Sequence, residues 1–200
     1  MNEEHLSFLQ DLLETPSPTG SEVPVATLVR QRLASVADEI ATDVMGSVHA
    51  RLDGAADGPA LMLAAHMDSI GFIVTHIEKE GFLRVGKLGG VAPKEAAYSA
   101  VRFKNGVRGV FVPEEKADFG KLKLDECYID IGAEDEAAAK KLVQIGDTCV
   151  YDAPLRLQGS RVTGPYLDDR IACAVLLSAL EQIKTPACDL WMVFTVQEEV

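Results

Sequence analysis

Ala60-Leu61-Met62-Leu63-Ala64-Ala65-His66-Met67-Asp68 is a nearly unbroken apolar run that ends in an imidazole and a carboxylate. The apolar part, Ala60 to Ala65, reads as a strand buried on both faces, the pattern of strands in α/β proteins. Upstream, Leu6, Leu9, Leu12 and Leu13 lie at helical spacing within residues 3–14, and Thr15-Pro16-Ser17-Pro18-Thr19-Gly20 breaks that pattern. A second helix follows, with Val25, Leu28, Val29, Leu33 and Val36 on one face and with Ser21 and Glu22 suited to its first turn. Two short β-rich runs, Ile40 to Val44 and Val48 to Leu52, then lead into the Ala60–Asp68 stretch.

Downstream the pattern changes. Between about Ile70 and Thr163, short alternating segments (72–77, 82–85, 101–103 and 107–112) are separated by Gly, Asn and Lys. One helix, Asp135 to Val143, interrupts them, because Ala137 to Leu142 are good helix formers. After Gly164-Pro165 the α/β pattern returns, with Ile171, Val175, Leu176, Ala179, Leu180 and Ile183 marking a largely buried helix and Asp189 to Val196 a buried strand. The expected fold class is therefore α/β, with a small β-rich domain inserted in a loop: residues 1–69 and 164–200 form one domain and residues 70–163 the insert.

Composition removes several classes. A chain of 200 residues, 48% apolar and 25% charged, can bury a core. Its apolar stretches are broken well short of the roughly 20 residues that a membrane-spanning helix needs. Met1-Asn2-Glu3-Glu4-His5 lacks a basic region followed by an apolar run, so no secretory signal is expected and a cytoplasmic location is the default. Cys127, Cys149, Cys173 and Cys188 lie far apart, without metal-knuckle or redox spacing, and read as reduced packing residues. A net charge of -12 without a basic cluster argues against nucleic acid as a partner.

Three polar segments sit at the ends of apolar elements. They are His66-Met67-Asp68, Asp168-Asp169-Arg170 at the opening of a helix, and Gln197-Glu198-Glu199 at the end of a strand. Strand carboxyl ends in open α/β sheets face a common crevice, where all three could meet. One imidazole with carboxylates suits a pair of divalent cations. Asp68, two residues beyond His66, could orient the ring through its second nitrogen. Each segment has a plainer alternative. His66 could be hydrogen-bonded structure, Asp168 a helix cap, Asp168-Asp169-Arg170 a surface ion pair, and Glu198-Glu199 a solvated loop. The adjacent glutamates carry most information, since after so apolar a strand they repel each other unless cations or solvent stabilise them. His5, His49 and His76 read as surface residues.

At these residues the sequence resembles the glutamyl and deblocking (TET) aminopeptidases, a family of two-metal peptidases. The resemblance runs through Pro16-Ser17-Pro18-Thr19-Gly20-Ser21-Glu22, His66-Met67-Asp68-Ser69-Ile70-Gly71-Phe72, Gly89-Gly90-Val91, Ile129-Asp130-Ile131-Gly132-Ala133, Leu167-Asp168-Asp169-Arg170 and Thr195-Val196-Gln197-Glu198-Glu199-Val200. It implies that His66 binds one metal, Asp168 bridges two, and Glu199 binds the other. It further implies that Glu198 is the general base, that Asp68 steers His66, and that the insert is a PDZ-like domain for assembly of a homo-oligomer, from dimer to dodecamer. Three departures stand out: Ser69 where an acidic residue is usual, Ser47 after Gly46 where Asn is common, and only three of the five expected protein ligands before Val200.

The expected reaction is removal of the N-terminal residue from peptides, with activity requiring sequence beyond residue 200. Two divalent ions, zinc or cobalt with manganese also admissible, would activate water, and Glu198 would carry its proton to the departing amine. A related deacylase or carboxypeptidase, or a non-catalytic assembly protein, are the alternatives. No membrane partner is expected.

Overall fold

The computed structural model describes residues 3–56 and 58–200. Met1 and Asn2, which open the segment expected to lack a leader, lie outside them, as does Asp57. The described residues form two compact units, one of those up to residue 68 together with 154–198, the other of 69–153 and 199–200.

The first unit begins with helices α1 (Glu3–Glu14) and α2 (Val23–Leu33) and strands β1 (Glu39–Thr42), β2 (Val48–Leu52) and β3 (Leu61–His66). The second unit follows with β4 (Gly71–Ile77), β5 (Leu83–Leu88), α3 (Pro93–Ala96), β6 (Ala100–Phe103), β7 (Arg108–Pro113), β8 (Cys127–Asp130), α4 (Glu136–Leu142) and β9 (Thr148–Tyr151). The chain then returns to the first unit through β10 (Arg156–Gln158), β11 (Arg161–Thr163), α5 (Leu167–Leu180) and β12 (Leu190–Thr195).

The first unit is a mixed sheet in the order β1-β2-β12-β3, with β12 antiparallel to β2 and parallel to β3. Val48, Ala50 and Leu52 on β2 lie opposite Phe194, Met192 and Leu190 on β12, and all six are buried. They pack with Leu9 and Leu12 of α1, Val25, Val29 and Leu33 of α2, and Cys173, Ala174 and Leu177 of α5. The apolar faces expected for α1 and α2 thus supply one side of a single core, whereas α5 is turned from its expected face: Val175 and Ile183 are 51% and 36% exposed, and Cys173, Ala174 and Leu177 are buried in their place. In parallel pairing Thr195 stands beside His66, and the Met67 N–H donates to the Thr195 carbonyl at 2.8 Å. The segments leaving β3 and β12 consequently emerge at the same end of the sheet.

Two expectations change. β3 is not buried on both faces: among the described residues its one strand neighbour is β12, and Leu61 and Met62 are 52% and 65% exposed. Its apolar composition carries no information about its place at the edge. The hairpin β10–β11, expected from sequence within the insert, groups with the first unit, because Leu155 and Val162 pack on that unit's core.

The second unit is a closed antiparallel barrel in the order β4-β5-β8-β7-β6-β9, which leaves no strand of the ring with an open edge. Phe72 and Phe111 stack at 4.9 Å inside it, and Tyr151 meets Phe72 edge-on at 5.8 Å. Asp135 caps α4 by accepting the Ala138 N–H at 2.7 Å. Cys127, Cys149 and Cys173 are buried free thiols, and burial pushes Cys127 up to about 11 and Cys173 to about 12, as suits inert packing residues. No helix among the described residues is long and apolar enough to cross a membrane.

Candidate metal centre

His66 is the last residue of β3 and is almost fully buried. Its Nε2 lies 3.3 Å from Asp168 Oδ1 and 3.9 Å from Glu198 Oε2, and its Nδ1 lies 3.4 Å from Asp68 Oδ1. Three sequence segments that are distant along the chain thus converge on one imidazole within the first unit. The Asp68 carboxylate beside the ring, opposed by burial and helped by Asp168 and Glu198, raises His66 to about 9.

Asp68 is completely buried, and the Glu198 N–H donates to its Oδ1 at 3.1 Å. One carboxylate therefore faces the ring and also holds the backbone of the residue after Gln197. The Asp168 and Glu198 side chains, 91% and 60% exposed, leave the Nε2 side open to solvent. Glu199 directly follows Glu198 and is counted with the second unit, where the backbone of Gly89 approaches it. A Cβ on Gly89 would stand 2.8 Å from the Glu199 carbonyl oxygen, and its φ of +75° also favours glycine.

The plainer readings of Asp168-Asp169-Arg170 do not hold. Asp168 and Asp169 lack helical dihedrals, and Asp168 turns its oxygen to His66 rather than to a first-turn amide. Arg170 is not a surface ion pair. It is fully buried, and it donates from Nη1 to the carbonyls of Leu12 and Thr15, from Nη2 to Ser17 at 3.1 Å and from Nε to Met67 at 3.2 Å.

Sequence reasoning also passed over two acceptors. Asp169 Oδ2 receives the His66 N–H at 3.2 Å, and Glu22 Oε1 receives the N–H groups of Gly20 at 2.8 Å and Gln197 at 3.1 Å. For Asp169 the signal was adjacency to Asp168. For Glu22 it was a carboxylate closing the Thr19-Gly20-Ser21 turn, a position equally suited to a helix start. His49 pairs with Asp43 and His5 with Glu181, consistent with their reading as residues apart from the site.

The profile of the M42 glutamyl aminopeptidase family matches residues 46–200. The chain belongs to that family. A lysyl aminopeptidase of Pyrococcus furiosus is 37% identical over 96% of this chain and 59% of its own length. An aminopeptidase from the archaeon Desulfurococcus kamchatkensis superposes with a TM-score of 0.91 at 34% identity, over 98% of this chain and 56% of that one. A Pyrococcus horikoshii TET1 peptidase, which can assemble into a tetrahedron or a large octahedral shell, gives 0.86 at 26% identity, over 98% of this chain and 62% of that one. This member of the M42 family thus has the mixed α/β architecture of TET aminopeptidases, and it spans somewhat more than half the length of the relatives it matches.

Proposed function

We propose that the chain supplies part of the centre of a metal-dependent aminopeptidase, in which His66, Asp168 and Glu199 would hold two divalent cations, Asp168 serving both. The observation that carries this reading is the approach of Asp168 and Glu198 to the same nitrogen of His66, at 3.3 and 3.9 Å. An imidazole with carboxylate oxygens suits zinc, cobalt or manganese. The fit extends outward: Nε2 faces the exposed side while Asp68 lies at Nδ1, the arrangement that presents a ligating nitrogen outward. When bound, the cations would lower the pKa of water and polarise the scissile carbonyl.

The chain's own groups supply the rest. Glu198, solvent-accessible and fixed at its backbone by Asp68, takes a proton on its carboxylate and returns it to the departing amine. Asp68 keeps the imidazole in one orientation throughout. The substrate is a peptide with a free amino terminus. Its preferred first side chain is not set by family membership, since the family is described as glutamyl and the Pyrococcus furiosus relative as lysyl. The barrel, as a PDZ-like unit, serves assembly into a homo-oligomer, by analogy with the TET1 peptidase.

In the whole protein, Glu198→Gln should lower kcat by about a hundredfold or more while bound metal stays constant. Turnover of the variant at the wild-type rate, with metals retained, would remove Glu198 from this role. Peptides with blocked amino termini should be poor substrates; equal turnover of blocked and free peptides would favour a deacylase instead.

A further inference from the structure

We propose that Glu22 is a positioning residue for Glu198, a role that rests on the aminopeptidase reading of the site. Glu22 is 6% exposed, and it closes the loop that enters α2. Its carboxylate does not cap that helix, which has no side-chain capping bond. Instead Oε1 accepts two backbone N–H groups, one from Gly20 at 2.8 Å and one from Gln197 at 3.1 Å.

Gln197 is where β12 has ended and the chain turns toward Glu198. Its φ is +57°, a left-handed conformation uncommon for a residue with a side chain. The turn is bracketed by two buried carboxylates: Glu22 takes the N–H of residue 197, and Asp68 takes the N–H of residue 198 at 3.1 Å. Successive amides are thus fixed by acceptors from two separate segments of the first unit. Glu22 thus holds the peptide joining Val196 to Gln197, and Asp68 the next one, joining Gln197 to Glu198, so the Glu198 carboxylate starts from a Cα anchored on its N-terminal side by two successive peptides. A helix-terminal charge alone would explain Glu22 if it were solvated, but burial with two amides on one oxygen is a built contact.

The test uses the whole protein with its metals, and three variants. Glu22→Gln keeps an acceptor oxygen at the same reach. Glu22→Asp keeps the charge but is shorter by one methylene, and Glu22→Ala removes both. We expect Ala and Asp to lower kcat by about ten- to a hundredfold with KM changed by less than about threefold, and Gln to restore most of the rate. Bound metal, measured by elemental analysis, should stay at the wild-type level in all three. Hydrogen exchange at the Gln197 amide should quicken by about tenfold or more in the Ala and Asp variants and not in Gln. Wild-type kcat in Glu22→Asp, or unchanged exchange at Gln197, would overturn the proposal. Absence of peptide turnover in the wild-type protein would instead overturn the proposed function, and the exchange measurement would still report whether Glu22 holds the turn.

Discussion

Arg170, fully buried beside the site, donates to four backbone carbonyls, those of Leu12, Thr15, Ser17 and Met67. Burial lowers it to about 10, so it stays cationic at neutral pH, with its charge distributed over carbonyls from α1, from the loop after it and from Met67. Its guanidinium also faces the Tyr166 ring at 5.6 Å. Arg170→Met should cost about 3–5 kcal/mol, since it strands several buried carbonyls at once. Lys cannot replace the planar fork and should recover little. Urea denaturation of each variant measures this, and a loss below about 1 kcal/mol would show the carbonyls finding other donors. None of this is legible locally, because the carbonyls lie more than a hundred positions away. That His66, Asp168 and Glu198 approach one another was legible, since each stands at an end of an apolar element with a group that needs a reason to be there.

Among the elements, the tight connection between β1 and β2 has its own chemistry. Asp43 Oδ1 accepts the N–H groups of Met45, Gly46 and Ser47, its Oδ2 meets His49 Nε2 at 3.2 Å, and the His49 contact foremost lowers it to about 2. Ser47, one of the departures from the family's pattern, is buried in this turn, where its carbonyl accepts the Asp43 N–H and its own N–H donates to the Asp43 carboxylate. A carboxyl depressed on folding contributes stability that is whole above its ordinary value of 3.8 and disappears as pH falls through about 2. Asp43→Ala should therefore flatten the fall in melting temperature between those two values. Parallel acid limbs for wild type and variant would contradict the account. Helices α1 and α2 and strand β4 sit where periodicity predicts them, and α4, β2 and β12 where local composition does, because both signals are written into neighbouring residues. The burial of β3 is not written there, because it depends on which strands flank it.

At the scale of the whole molecule, the second unit has the features of an independently folding domain. Its first and last strands, β4 and β9, are hydrogen-bonded neighbours with Phe72 opposite Cys149, so the two ends of the insert meet. Its core, built on Phe72, Phe103, Phe111 and Ile129, is contributed by the barrel strands themselves. Residues 69–153 expressed alone should fold, with a single cooperative thermal transition and near-ultraviolet circular dichroism from packed aromatics. A broad, non-cooperative melt would mean that the barrel depends on the rest of the chain. The change from long helices and apolar runs to short alternating segments announced this unit. Ring closure was not readable, because it rests on the pairing of β4 with β9, more than seventy positions apart.

The border of β3 that faces away from β12 has a different fate from the barrel. With no strand paired to it among the described residues, and with Leu61 and Met62 exposed beside it, that border keeps backbone N–H and C=O groups open to one further strand.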